Sequence, residues 1–93
     1  MVVTPYTETI EGSTRIRTFS NTVDSDELVW HRDRQNRTVT VLEGADWKFQ
    51  MDNQLPQKLN PGDVVYIPKE TYHRIIAGNS DLVIRIEEEQ NDK

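Results

Sequence analysis

The chain has no cysteine and little material for a large core. Without cysteine it cannot be cross-linked by disulfides, as small secreted domains often are, and it offers no thiol nucleophile. Apolar residues make up only 34% of its 93 residues, a low share for a folded chain. We therefore expect one domain over residues 1–93, with a compact core over about 14–87 that association into a homodimer would stabilise.

The sequence also lacks long apolar runs and an excess of basic residues. No segment is apolar for long enough to cross a bilayer, and residues 1–6 lack the pattern of a secretory signal. We therefore expect no membrane partner and a cytoplasmic location. The formal net charge of −5 predicts no nucleic-acid partner, because binding to phosphates needs a basic face.

The sequence does contain a series of short segments with the character of β-strands. Apolar residues alternate with polar ones over short stretches between turn residues, which is typical of an all-β protein. The predicted strands span residues 14–19, 27–32, 37–42, 47–51, 55–59, 64–67, 72–77 and 82–87. We expect strand 14–19 to be exposed, strand 55–59 to lie at an edge because it carries Pro56, and strand 64–67 to be buried. Turns are predicted at 21–26, 60–63 and 78–81. We also expect a loose edge strand within residues 1–13 and a frayed, charged tail over 88–93. Short strands at this spacing predict a sandwich or a barrel.

The only two histidines, His31 and His73, are the residues best suited to chemistry. His31 and Asp33 are two positions apart at a strand end, so their side chains share a face, and His73 begins a later strand. If the two strands are neighbours, two imidazoles and one carboxylate converge. That set suits Fe(II), Mn(II), Zn(II) or Ni(II). The alternative is an ordinary charged surface turn, since a short His-x-Asp pattern is not specific.

Two longer stretches contain these histidines. Residues 30–44 read WHRDRQNRTVTVLEG, and residues 61–73 read PGDVVYIPKETYH. They resemble the first and second motifs of the cupin superfamily: Gly62, Pro68 and His73 keep the spacing of the second motif, and His31 and Gly44 keep that of the first. The resemblance covers about residues 27–87. It implies a single all-β cupin domain, a double-stranded β-helix or jelly-roll barrel, with a metal inside it.

The departures from the family pattern concern the ligands. The family's first motif usually supplies two histidines and a glutamate, but here Asp33 stands at the second histidine position and Arg37 at the glutamate position. The resemblance therefore leaves at most three metal ligands, His31, Asp33 and His73. An inward-pointing Arg37 could clamp a carboxylate or phosphate. Alternatively, Arg37 pairs with Asp33 or Glu70, and the metal site is vestigial.

The resemblance implies two kinds of function, because cupins include isomerases, dioxygenases and sugar-acid converting enzymes. The first hypothesis is a cupin that holds a divalent metal and a small anionic molecule such as a sugar acid or keto acid. Arg37 would orient the anion, and Glu70 is a candidate general base or fourth ligand. The second hypothesis is a non-catalytic binding or accessory cupin with a degenerate metal site, because a fold does not determine a function.

We expect most of the aromatic side chains to pack in the core. Trp47, Phe49, Tyr66 and Tyr72 lie near the predicted pocket, and aromatic residues contribute most to core burial. Trp30 points away from the neighbouring histidine in an extended strand, so we expect it between the sheets or at a dimer face.

Overall fold

Two antiparallel sheets make up the protein. The computed structural model describes residues 6–20 and 30–89, and every strand pair in these residues is antiparallel. The strands are β1 (Tyr6–Glu11), β2 (Thr14–Phe19), β3 (Arg37–Glu43), β4 (Lys48–Met51), β5 (Gln57–Lys58), β6 (Val64–Ile67), β7 (His73–Ile76) and β8 (Leu82–Glu88). Five form one sheet in the order β1-β2-β8-β3-β6, and three form the other in the order β5-β4-β7. The predicted all-β jelly-roll class is confirmed.

Alternation along the strands builds the core between the sheets. In β3, Val39 and Val41 are buried, whereas the intervening Thr38 and Thr40 are only partly buried. Branched side chains at both kinds of position suit a half-buried pleated strand. The core draws on the inner faces of both sheets: Phe19, Val39, Val41, Trp47, Phe49, Leu59, Val65, Ile67, Leu82, Ile84 and Ile86.

Two glycine-containing turns connect strands as the sequence predicts. Gly62 has a φ of +96°, a conformation that other residues rarely adopt, and the turn closes with a 2.9 Å hydrogen bond from Asp63 N to Asn60 O. At Gly78, glycine is needed because another segment of the backbone lies very close to it. A Cβ there would lie 2.2 Å from the carbonyl oxygen of Ala45, so the backbone of this turn packs where no side chain fits.

The sheet edges differ from the expectation. Strand 14–19, expected to be exposed, is β2, and it pairs on one side with β1 and on the other with β8. The edge is instead β1, within the loose strand predicted over residues 1–13. Strand 64–67 was expected to be buried, but β6 is the other edge, and its Val64 and Tyr66 face outward.

Two predicted segments have different ends in the structure, and two others lie wholly or mostly outside the described residues. The predicted strand 55–59 is shortened to β5, which begins after Pro56 because proline cannot donate to a ladder, and β5 lies at a sheet edge as expected. β8 extends through Glu88, the first residue of the predicted tail, because this residue pairs with Arg37 in β3. The predicted turn 21–26 and most of strand 27–32 lie outside the described residues.

The register of β3 and β8 determines where polar and apolar groups lie. Arg37 pairs with Glu88 at one end of the two strands, and Val41 pairs with Ile84 towards the other. The two ends of the barrel therefore carry different side chains, and the histidines lie at the Arg37 end. In residues 6–20 and 30–89, no helix has the length and apolar character needed to cross a bilayer.

Candidate metal centre

A backbone pair brings the two histidines together although they are far apart in the chain. His31 N donates to His73 O at 3.0 Å, and His73 N donates to His31 O at 2.8 Å. Residues paired in this way across antiparallel strands extend their side chains to the same face. Accordingly, the ring centroids are 4.4 Å apart in an edge-to-face arrangement.

Asp33 joins them from the same segment. Its backbone is fixed by a 2.7 Å hydrogen bond from Glu70 N to Asp33 O. Its Oδ2 atom lies 3.3 Å from His73 Nε2. One ligand atom from each of His31, Asp33 and His73 lies within 4.8 Å of the others. The structure therefore brings together the three residues that the sequence predicts as metal ligands.

The hydrogen bonds of His73 determine which ring nitrogen faces Asp33 with a lone pair. His73 Nδ1 lies 2.9 Å from the carbonyl oxygen of Thr71, which can only accept, so Nδ1 carries the proton. In the neutral imidazole, Nε2 then carries a lone pair directed at Asp33 Oδ2. Among the described residues, that buried oxygen accepts no hydrogen bond, and its charged contacts are with the His73 ring and the Arg37 guanidinium. A cation shared by His73 Nε2 and Asp33 Oδ2, either a second proton on the ring or a metal ion, would make their contact attractive.

This arrangement fits a metal ion. Histidines that bind metals usually donate their second ring N–H to a carbonyl or carboxylate, as His73 does to Thr71. Two ligands about 2.1 Å from one ion lie roughly 3 Å apart when their bonds are close to perpendicular. The observed Nε2–Oδ2 separation of 3.3 Å is close to that value.

A cavity opens inside the barrel next to the two imidazoles. Its volume is about 60 Å³, and His31, His73, Arg37 and Arg17 supply its polar lining. The remaining lining residues are apolar: Phe19, Val39, Phe49, Leu59, Val65, Ile67, Ile75, Leu82, Ile84 and Ile86. A bound ion could therefore be reached from the interior of the barrel.

A family model described as Cupin domain matches residues 22–85, which is more than half of the chain. The chain belongs to the cupin family. The resemblance noted in its two motifs is thus confirmed. Among curated proteins, no relative of this cupin was found.

Solved structures show the same fold at low identity. A mannose-6-phosphate isomerase homologue from Ralstonia eutropha has a TM-score of 0.68 at 21% identity, over 91% of this chain and 83% of that one. KdgF from Halomonas sp. has a TM-score of 0.64 at 21% identity, over 85% and 70% of the two chains. One of the DMSP lyases RdDddP and RnDddQII has a TM-score of 0.71 at 16% identity. The match covers 83% of this cupin but 37% of the lyase chain.

Arg37 in this cupin is held by a residue that the sequence did not suggest. Its Nε donates to Glu88 Oε2 at 2.8 Å, and its Nη2 contacts the same oxygen. Its Nη1 lies 3.2 Å from Asp33 Oδ2, but makes no hydrogen bond to it. Of the two predicted interpretations, the structure shows the ion pair, and it adds Glu88 as the main partner. Glu88 thus makes the shortest contacts with Arg37, while Asp33 Oδ2 stays within ion-pair distance of the guanidinium.

Asp33 is held in its charged form by its neighbours. Burial acts to raise its pKa, but the nearby His73 imidazole and the positive charge of Arg37 outweigh that effect, with a smaller contribution from His31. The pKa of Asp33 therefore lies below its ordinary value. A carboxylate that is ionised near neutral pH is the form a divalent metal needs.

A wider network of buried charges was also missed. Glu8 pairs with Arg17 and lies 3.7 Å from Arg15, and Arg15 lies 3.5 Å from Glu88. The sequence held one signal of it: Arg15 and Arg17 alternate with Ile16 in β2, so they share the face of the buried Phe19. Arg17 is accordingly only 9% exposed.

The remaining candidates lie outside the cluster. Glu70 adopts a positive φ of 61°, is exposed, and pairs with Arg32 at 3.4 Å. Trp47 and Phe49 fill the core as predicted, but Tyr66 and Tyr72 do not. They are 48% and 44% exposed because they alternate with inward-facing neighbours.

Trp30 is likewise exposed rather than packed between the sheets. The Arg74 guanidinium lies over its ring, 5.0 Å from the centroid, and Arg32 lies over Tyr72 at 5.3 Å. These pairs line the outer face of the smaller sheet. Both are typical cation–π contacts of exposed aromatic residues.

Proposed function

We propose that this cupin binds a divalent transition metal through His31, Asp33 and His73, and that the metal holds a small anionic ligand in the barrel. The observation that carries the proposal is the facing pair of acceptors, His73 Nε2 and Asp33 Oδ2, 3.3 Å apart and mostly buried. When His73 is neutral, the two facing lone pairs repel each other, and a shared divalent cation turns that repulsion into attraction.

The donor set limits the choice of ion. Two imidazoles and one carboxylate suit Fe(II), Mn(II), Zn(II) or Ni(II), and three protein ligands leave further positions for a ligand. A metal of this kind would supply Lewis acidity or oxygen activation. The chain would orient it through the hydrogen bond from His73 to Thr71 and through the backbone pair of the two histidines.

The ligand can be described by its chemical class as well as by its charge. A small carboxylic acid, such as a keto acid or sugar acid, is the ligand we propose for a metal-dependent enzyme. The structural neighbours include an isomerase homologue and a lyase, whose low identity supports a common fold alone. The homodimer expected from the small core stays a prediction.

The second candidate function is a non-catalytic binding or accessory cupin. The observation that favours it is Arg37, whose positive charge lies 3.2 Å from the oxygen that the metal needs. A guanidinium at the position of a family ligand opposes a dication. This alternative predicts weak metal binding or none.

Metal content of untagged protein tests the proposal. After loading with Zn(II) or Fe(II) and extensive dialysis, elemental analysis should find about one ion per chain. Excess metal should raise the melting temperature by about 10 °C or more, since an ion at 100 times its Kd adds about 2.7 kcal/mol. His31→Ala and His73→Ala should each lose the bound ion.

Asp33→Asn separates metal binding from stability. The asparagine amide can donate to His73 Nε2, so the metal-free variant should match or exceed the wild-type melting temperature. Its metal affinity should fall more than about 100-fold because the ligand charge is gone. Wild-type metal content near zero, or unchanged content in all three variants, would overturn the proposed function and favour the non-catalytic alternative.

A further inference from the structure

The cavity beside the histidines is small for a family that includes enzymes acting on sugars. Its volume is about 60 Å³. An apolar cavity of about 150 Å³ accommodates benzene, so this space admits only about two to three carbon atoms. An acid of two to four carbons has one to three carbons beyond its carboxylate, whereas a hexose-derived acid has five carbons with their hydroxyl groups.

The wall of the cavity is almost entirely apolar. Apart from two histidines and two arginines, every side chain that lines it is aliphatic or a phenylalanine. A hydroxyl group that entered would meet no acceptor or donor on most of this surface. Burying a hydroxyl without a hydrogen-bond partner is unfavourable, so the wall selects against hydroxylated ligands.

The charged side chains beside the histidines then determine which head group a ligand should carry. Arg15, Arg17 and Arg37 are matched by Glu8, Asp33 and Glu88, so the described network is neutral when the histidines are neutral. The arginines are thus already neutralised, and none is left to hold an anion by itself. A bound dication would leave an excess of two positive charges, which an anionic donor would partly neutralise.

From these observations we infer that the ligand of this cupin is a short aliphatic monocarboxylate of about two to four carbons. Its carboxylate would lie towards His31 and His73, and its hydrocarbon chain would lie against residues such as Val65 and Ile67. The inference rests on the proposed metal site. It narrows the ligand to small unhydroxylated acids and excludes sugar acids.

Calorimetric titration of the Zn(II)-loaded protein tests this class of ligand. The probes are acetate, propionate, butyrate and hexanoate. Affinity should rise about fourfold for each methylene from acetate to butyrate, since each buried CH₂ contributes about that factor, and should fall for hexanoate. Gluconate should show no binding, and the metal-free protein should bind none of the acids.

Two acids of the same size test whether the apolar wall rejects a hydroxyl group. 3-Hydroxypropionate has the same number of non-hydrogen atoms as butyrate, with a hydroxyl in place of the terminal methyl. It should bind at least about tenfold more weakly than butyrate, because its hydroxyl finds no partner. Equal or tighter binding of 3-hydroxypropionate would overturn the inference.

Adjacent valines provide a matched pair of variants. Val65 is buried and lines the cavity, whereas Val64 is 62% exposed on the other face of β6. Val65→Ile should reduce the preference for butyrate over acetate at least about fourfold, and Val64→Ile should leave it unchanged. Ile67→Val, which enlarges the cavity, should move the preferred acid towards a longer chain.

The outcomes separate this inference from the proposed function. If Zn(II) binds but affinity does not depend on chain length, or if both valine variants behave alike, the ligand class is wrong and the metal site stands. If elemental analysis shows no Zn(II) after loading, both are wrong. Acid binding by the metal-free protein would contradict the assigned position of the carboxylate.

Discussion

The two ends of strands β3 and β8 are built from opposite kinds of side chain. At one end, Val41, Trp47 and Leu82 are almost completely buried, and Trp47 Nε1 donates to Ser80 O at 2.6 Å. At the other end, Arg37 and Glu88 face the histidines and Asp33. The first end has its polar group satisfied, whereas the second retains Asp33 Oδ2 without a hydrogen-bond partner.

The difference indicates that apolar burial stabilises one end of the barrel, whereas the other end holds partly buried charges. Burying apolar area stabilises the fold at about 25 cal/mol per Å², so the end around Trp47 contributes most where burial is complete. Buried charges at the Arg37 end carry a desolvation cost that their pairing offsets only in part. Arrangements of this kind persist where a ligand compensates for them.

Among the variants of the two ends, truncation of Trp47 should cause the largest loss of stability. Trp47→Ala leaves a cavity in the core and should lower the free energy of unfolding by about 3–5 kcal/mol. Urea denaturation followed by circular dichroism measures the loss. Metal affinity of the fraction that stays folded should remain close to wild type, because Trp47 is not among the groups at the polar end.

Trp30→Ala is the matched control for Trp47. Trp30 is 41% exposed and lies against the guanidinium of Arg74, so its loss should cost less than about 1 kcal/mol. Equal losses for the two tryptophans would show that the apolar end has no special part in stability.

Neutralising Glu88 should affect mainly the polar end. In Glu88→Gln the guanidinium of Arg37 loses its carboxylate and is free to bond Asp33, so metal affinity should fall about 10–100-fold. Arg37→Gln should act in the opposite direction, because it removes a positive charge from beside the ion. Titration of the metal-free proteins with Zn(II) measures both.

Two further variants sharpen that prediction. Glu88→Gln combined with Arg37→Gln should return the affinity to near the wild-type value, since neither the competing cation nor its partner remains. Glu87→Gln changes the adjacent, outward-facing residue and should leave affinity unchanged. A Glu88→Gln Kd within twofold of wild type would show that Glu88 does not position Arg37.

The smallest effect is expected at Glu70. Its exposed ion pair with Arg32 should contribute less than about 0.5 kcal/mol, and it lies outside the three-residue cluster. Glu70→Gln should therefore leave both the melting temperature and the Zn(II) affinity unchanged. A clear loss of affinity would restore Glu70 as a fourth ligand.

Local patterns made much of the fold predictable. The alternation in β3 and β8 and the Pro-Gly turn before β6 are short-range signals, because side-chain direction and φ preference depend on adjacent residues. Asp33 follows His31 by two positions, so their common face was predictable too. Pairing of His31 with His73 was expected only through the spacing of the two motifs.

Long-range partners could not be read in the same way. Glu88 was assigned to a frayed tail because it lies within the run of acidic residues 87–89, and only the register of β8 against β3 brings it to Arg37. The exposure of Tyr66 was missed for a related reason. All four residues of β6 are hydrophobic or aromatic, so the sequence does not show which of its two faces points into the core.

Sequence alone determined the strand periodicity, the principal turns and the presence of two imidazoles and an aspartate with metal-binding chemistry. These follow from local backbone and side-chain preferences. Tertiary structure alone decided which nitrogen of His73 faces Asp33, which acid holds Arg37, and how little space the barrel leaves for a ligand. Those features depend on contacts between residues distant in the chain, which only the packing of the two sheets establishes.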